Sequence, residues 1–317
     1  MEMTQKHISF LRRLRMPPKE LERYYRKRRE SDFRENKRFS GIVLRKRLHY
    51  ILAAGIAAEH FFCGKKLHII SDKRTKTDKP VIYASTHIGW DDAEINLRAI
   101  QKPFYFFVGD PRGLYRNLDG LLLYINGAIF CDLDSKTDRY VAKESSIRLL
   151  EQGGDLCIYP EGAWNITENQ PVMQLFNGTA EMAIRAGAEI VPIAVEQYGK
   201  EYYVNLGKNI DSSKWQLEQK QELTDLLRDK LAALKWEIWE ARGIVRRDTI
   251  PQNYGEIFRK GFEVQMDAEY SMNDIWRTYF HNKANASAAE VSESMRRLKP
   301  CLQNAFLFDK RNAGGLY

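Results

Sequence analysis

At 317 residues the chain can form one large domain with appendages or two domains, and 44% hydrophobic with 29% charged residues excludes a disordered or collagen-like polymer. The net charge of +8 is uneven: residues 1–50 hold 16 Lys/Arg against 6 Asp/Glu, a local +10 that leaves the remainder at −2. Of the four cysteines (Cys63, Cys131, Cys157, Cys301) none forms a C-x-x-C pair and two lie inside apolar strand-like runs, which suits buried reduced thiols, and no apolar run of about 18 residues exists, so no membrane-crossing helix is expected. With no secretory signal at the N-terminus, a cytoplasmic protein with reduced thiols is expected.

Residues 1–40 are basic and aromatic, broken at Pro17-Pro18. From Glu20 a helix is expected with Leu21, Tyr24 and Tyr25 on one side. Residues 41–62 read as a second helix ending near Gly64, and Leu48 to Phe62 suits a core or interfacial helix. From about residue 66 short β-type apolar runs follow: Leu67–Ile70, Val81–Ser85, Phe104–Val108, Ala128–Cys131, Leu156–Tyr159, Ile190–Val195 and Tyr202–Leu206. Helical stretches lie between several of them, one capped by Asp138 and closed by Gly153-Gly154, another running from Gly178 to Ala186. Strands that are apolar nearly throughout, alternating with helices, predict an α/β fold with a mostly parallel sheet flanked by helices. Ser212 to Arg242 reads as one long amphipathic helix, capped by Ser212 or Ser213 and stopped by Gly243, and Asn285–Ser287 opens a further helix. The expected divisions are a basic helical segment (1–65), an α/β domain (66–210) and a helical C-terminal extension (211–317).

Chemistry concentrates in four blocks. In Ser85-Thr-His87-Ile-Gly-Trp-Asp-Asp92 a histidine at a strand end and an aspartate in a helix's first turn can face each other across a turn that Gly89 permits. A carboxylate on one ring nitrogen fixes the tautomer and leaves the other nitrogen to accept a proton. The plainer alternative makes Asp91 and Asp92 helix caps and His87 a hydrogen-bonded core residue. Tyr159-Pro-Glu161-Gly-Ala-Trp164 puts a carboxylate at a strand end, where open α/β sheets bind ligands, although Pro-Glu-Gly alone also describes a simple turn. Gly127-Ala-Ile-Phe-Cys-Asp132 and Ile190-Val-Pro-Ile-Ala-Val195 read as buried strands.

The four blocks in this order resemble the glycerolipid acyltransferase family, which includes the bacterial 1-acyl-glycerol-3-phosphate acyltransferases. That family has His-x4-Asp after a strand, then Gly-x-Ile-Phe-Ile-Asp-Arg, Phe-Pro-Glu-Gly-Thr-Arg and Val-Pro-Ile. The matching stretches here are His87–Asp92, Gly127–Leu133, Tyr159–Trp164 and Val191–Ile193. The resemblance implies transfer of an acyl group from acyl-CoA or acyl carrier protein to a lipid hydroxyl, with His87 as base and Asp92 as its orienter. It implies no cofactor and no metal, the acyl donor being a co-substrate. Glu161, Gly162 and Trp164 would help to build the acceptor site. The family's two phosphate-binding arginines are replaced by Leu133 and Trp164, which removes bidentate phosphate recognition there. Either Arg112, Arg116, Lys136 or Arg139 supplies the cation, or the acceptor lacks a phosphomonoester.

A lipid product suits a basic, aromatic arm, and residues 1–62 are expected to dock on an anionic membrane surface, with Tyr24, Tyr25, Phe33 and Phe39 at the interface. Alternatively these helices cover one edge of the sheet. Nucleic acid is not an expected partner, since the arm carries no recognisable motif. An amine or non-phosphorylated acceptor and a non-catalytic lipid-binding scaffold stay open as alternatives.

Overall fold

The computed structural model describes residues 15–37, 39, 41–89, 91–109, 111, 113–165, 170–242, 251–253, 256–257 and 260. Arg112, Gly243, Cys301 and the helix expected at Asn285–Ser287 lie outside these residues.

Among the described residues two helices precede the sheet. Helix α1 (Pro18–Arg34) starts with proline at its first turn, where the missing N–H costs nothing, and buries Leu21 and Tyr24. Its other aromatic residues correct the expectation that they face a bilayer. The Tyr25 ring stacks on Tyr115 at 4.4 Å, and the Phe33 ring meets Tyr140 edge-on with Arg148 lying 4.0 Å over it. Phe39, beyond the helix, meets Tyr105 edge-on. The side chains that carry α1 onto the body of the protein are therefore the ones that sequence alone offers to a membrane. Helix α2 (Ile42–Cys63) ends at a left-handed Gly64, as expected. It buries His49 and His60 but exposes Val43, Leu44, Tyr50, Ile51, Phe61 and Phe62.

The sheet has eight strands: β1 (Lys66–Asp72), β2 (Val81–Ser85), β3 (Tyr105–Gly109), β4 (Ala128–Cys131), β5 (Leu156–Ile158), β6 (Glu189–Tyr198), β7 (Glu201–Leu206) and β8 (Ile210–Asp211). Their order is β1-β7-β6-β2-β5-β3-β4, with β8 beside β6. From β6 to β4 all neighbours are parallel, while β7 and β8 run antiparallel to β6. The sheet is thus mostly parallel, as its apolar runs predict. The short β8 has no counterpart in the sequence reading.

Both faces of the parallel block are covered, which is why β2 is buried at all five positions. On one face Ile82, Ala84, Leu156 and Ile190 pack with Ile147, Leu149 and Leu150 of helix α5 (Lys136–Glu151) and Met182 of helix α6 (Gly178–Ala186). On the other, Val81, Tyr83, Cys157 and Val191 pack with Ile95 and Ile100 of helix α3 (Asp92–Ile100). Helix α4 (Leu118–Asn126) leads into β4 and lies against α2. Burial pushes the Cys131 thiol up to about 12, so it stays protonated and unreactive.

Two cap assignments are corrected. Ser135, not Asp138, caps α5, accepting from the Asp138 N–H; the buried Asp138 carboxylate instead pairs with Arg29 at 2.6 Å. The stretch from Ser212 is not one helix but two 3-10 turns followed by helix α7 (Lys220–Arg242), and the Asp211 side chain provides the cap, accepting from Ser213 N–H. Leu223, Leu227 and Leu231 of α7 enter the first core, while Leu234 and Ile238 cover Ala194 of β6.

Candidate active site

Because β2, β5 and β6 are parallel neighbours, the segments leaving their C-terminal ends emerge side by side. Thr86-His87 follows β2, and Tyr159-Pro160-Glu161 follows β5 next door. The turn after His87 passes through Gly89 at φ +139, a conformation glycine alone adopts easily, and returns the chain to start α3 at Asp92. This places His87 Nδ1 2.5 Å from Asp92 Oδ2. The same oxygen accepts the N–H groups of Ile88 at 2.9 Å and Gly89 at 3.1 Å. Asp92 is therefore no ordinary helix cap: only 2% exposed, it folds back on the turn that carries the histidine. Asp91 does not cap with its side chain either, and pairs with Lys65 and the Tyr202 hydroxyl.

The His87 ring is fixed from its faces as well. It stacks on Tyr159 at 4.1 Å with 13° between planes, and Trp164 meets it edge-on at 6.1 Å. The Tyr159 hydroxyl is held by Asn96 Nδ2 at 3.1 Å, and burial raises its pKa well above the ordinary range, so it remains neutral. With Nδ1 engaged, the proton-accepting nitrogen is Nε2, on a side chain that keeps partial solvent access.

Glu161 is fully buried, and both of its oxygens serve backbone amides: His87 N–H at 3.0 Å and Met173 N–H at 2.8 Å. It ties the histidine turn to the loop before α6. Burial raises its carboxyl pKa, opposed by the two amide donors and by the positive charge of Lys235. Asn165 completes the tie by donating its N–H to the His87 carbonyl at 2.7 Å. Gly162 has φ +71, and a Cβ there would lie 2.5 Å from the Phe176 ring. Gly162→Ala is expected to cost about 1–3 kcal/mol of stability through backbone strain and crowding, measurable as a lowered urea midpoint with unchanged slope.

The remaining site residues scatter. Leu133, where the resembled family has arginine, packs its side chain over Gly109 at the end of β3. Trp164 occupies the second such position and is buried against the His87 ring. Arg116 and Lys136 are exposed, and Arg139 donates to the Leu133 carbonyl. Two cations that sequence reasoning missed reach this region from α1: Arg26 pairs with Asp132 at 2.8 Å, and Arg29 with Asp138. Their basic helix reads as a solvated or membrane face, and nothing local marks these two as inward. Among the described residues Glu59, His60 and Glu94 gather metal-type ligand atoms. The two His60 nitrogens are already engaged, however, Nδ1 by Arg98 at 2.8 Å and Nε2 by Glu94 at 2.7 Å.

A buried carboxylate on one nitrogen of a ring-stacked histidine, at the C-terminal end of a central parallel strand, is suited to deprotonating a hydroxyl. The Acyltransferase family model matches residues 66–196, the stretch that holds this pair, Glu161 and most of the sheet. Over residues 66–196 the chain is therefore similar to acyltransferases. It is 24% identical over 199 residues to the 1-acyl-sn-glycerol-3-phosphate acyltransferase of Borreliella burgdorferi, an alignment covering 58% of this chain and 78% of that one. A solved structure, the 1-acyl-sn-glycerophosphate acyltransferase PlsC of Thermotoga maritima, superposes with a TM-score of 0.47 at 12% identity, over 75% of this chain and 88% of that one.

Proposed function

We propose that the enzyme transfers a fatty acyl group from acyl-CoA or acyl carrier protein to the hydroxyl of a lysophospholipid or glycerol-derived acceptor, with His87 as general base and Asp92 as its orienter. The observation that carries this is the 2.5 Å contact between His87 Nδ1 and the buried Asp92 carboxylate. His87 takes the acceptor's proton as its oxygen attacks the thioester carbon. The tetrahedral oxyanion collapses with departure of the thiolate, which recovers the proton. Asp92 stabilises the charged imidazole between these steps. The activity of the Borreliella burgdorferi relative supports a glycerol-phosphate acceptor. The apolar residues at positions 133 and 164 instead favour a headgroup bound without a bidentate arginine there. Gly162, Trp164, Arg112 and Arg116 are the proposed acceptor-side residues, with Glu161 bracing their loop.

Contact with an anionic membrane through residues 1–62 belongs to the same proposal, and the structure shifts its weight onto α2. That helix exposes Val43, Leu44, Ile51, Phe61 and Phe62, and the adjoining α4 exposes Leu118, Leu121 and Tyr124. Lys46 and Arg47 lie exposed on α2. No helix among the described residues is long and apolar enough to cross a membrane, which fits lying at a surface.

The test is an acceptor panel. Purified protein with acyl-CoA or acyl carrier protein is offered lysophosphatidate, neutral and zwitterionic lysophospholipids, monoacylglycerol and long-chain amines, and products are read by mass spectrometry. A new ester with one of the hydroxyl acceptors is expected. Acyl amides without esters would replace this reading with amine acylation, and no product with any donor would favour a lipid-binding scaffold.

A further inference from the structure

We propose that Lys235, on helix α7, is a positioning residue of this site: its buried ammonium keeps Glu161 a carboxylate, so that both oxygens go on holding the amides of His87 and Met173. The inference rests on the reading of His87 as base, and it brings into the catalytic unit a helix that starts 24 residues beyond the end of the family-matched stretch, since 220 − 196 = 24.

Lys235 is 2% exposed, which is unusual for lysine without partners of opposite charge. Its ammonium donates to the Val195 carbonyl at 2.6 Å and lies 3.2 Å from the Glu196 carboxylate, itself fully buried and bonded by Trp239 Nε1 at 2.8 Å. Val195 is the residue whose N–H bonds Thr86 Oγ1 at 2.9 Å, and Thr86 directly precedes His87. The ammonium is thus anchored where β6 meets the end of β2: the Val195 carbonyl that it bonds also accepts from Thr86 Oγ1 at 3.4 Å, and the N–H of the next residue, His87, is the one that Glu161 holds at 3.0 Å. A second α7 side chain, seven residues earlier and so on the same helical face, holds the loop that Glu161 bonds on its other side. Arg228 donates to the carbonyls of Met173 at 3.1 Å and Val172 at 3.3 Å, fixing the loop whose Met173 N–H bonds the carboxylate.

Glu161 holds the two amides most strongly as a carboxylate, because protonation leaves one oxygen a weaker acceptor that carries its own hydrogen. Burial opposes ionisation there, and the counteracting groups are the two amides, Lys235 and His87. The charges acting on it are Lys235 from α7 and His87 from the β2 turn; Arg228 of α7 holds the Met173 carbonyl of the same loop, and Glu196 of β6 shares the Lys235 ammonium. Removing the ammonium tips this balance towards the neutral acid and loosens the His87 backbone.

The test uses the full-length protein with Lys235→Met alone and with Glu196→Gln added. The double variant leaves no buried charge unpaired between these two positions, and the glutamine oxygen still accepts from Trp239. Protonation of Glu161 is followed by the infrared carbonyl band of a neutral carboxyl, assigned by its loss in Glu161→Gln. The double variant is expected to fold, to lose at least tenfold in kcat with little change in KM for the acyl donor, and to show the band's midpoint moved up by a pH unit or more. Lys235→Arg, which restores the charge, is expected to recover most of the midpoint shift. A folded double variant with wild-type kcat and midpoint would overturn the proposal, as would a Lys235→Met folding defect that Glu196→Gln repairs with activity intact. Because the infrared midpoint does not depend on turnover, an active His87→Ala enzyme would sink the base assignment while leaving the Lys235–Glu161 coupling measurable.

Discussion

Replacing His87 with alanine is expected to lower kcat/KM for acyl transfer by about 10²–10⁴-fold, the usual worth of a positioned general base. The loss is expected in kcat, because a general base acts on a proton in flight rather than on bound substrate. The variant should remain folded. His87 is neither a core residue nor the sole tie of its turn, which Asp92 holds through the Ile88 and Gly89 amides and Glu161 through the His87 N–H. Circular dichroism and the thermal midpoint check the fold. Full activity in a folded His87→Ala enzyme would remove this residue from the mechanism.

Asp92→Asn is expected to cost about 10²-fold or more, for a different reason. An asparagine oxygen can take the place of Oδ2 and keep accepting from Ile88, Gly89 and the ring, so the turn survives. What disappears is the negative charge facing the imidazole across 2.5 Å. Two unit charges at about 4 Å attract by roughly 4 kcal/mol at an effective dielectric near 20, and even half of that in the transition state is more than tenfold in rate. The alternative amide rotamer is worse, since it aims N–H at N–H and leaves the ring nitrogen without an acceptor. Measured kcat with unchanged KM for the acyl donor, in a protein of near-native stability, is the expected pattern. A mere twofold loss would mean that Asp92 is a turn-fixing residue only.

The pair itself was legible because its requirements are local. A strand end, a glycine and a helix start are all written within eight residues, and the parallel sheet then places Tyr159-Pro-Glu161 beside them by register. The strands were legible for the same reason: burial on both faces makes each one a short apolar run. What stayed hidden depends on distant partners. Tyr25 and Phe33 look like interfacial aromatics until Tyr115, Tyr140 and Arg148 are seen against them. Asp138 looks like a cap until Arg29, 109 residues away, claims its carboxylate. Lys235 sits between Leu234 and Trp236 on an amphipathic helix, where a lysine ordinarily reads as solvent-facing, and only the packing against β6 shows that it turns inward. Glu161 reads as a ligand-binding acid, yet its oxygens are spent on backbone amides, a use with no sequence signature.

The strand order carries a consequence for how such enzymes are cut and recombined. The stretch that the family model matches ends at residue 196, inside β6, while β1 at its beginning pairs, among the described residues, only with β7, beyond that end. The inherited unit and the folding unit are therefore not the same piece of chain. A chimera exchanging residues 66–196 alone would bring β1 without its own β7 and divide β6 between two parents. Exchange through residue 242 would keep β1, β7 and α7 with the sheet they complete, so the natural seam of this protein lies after a helix rather than at the boundary of its most recognisable sequence.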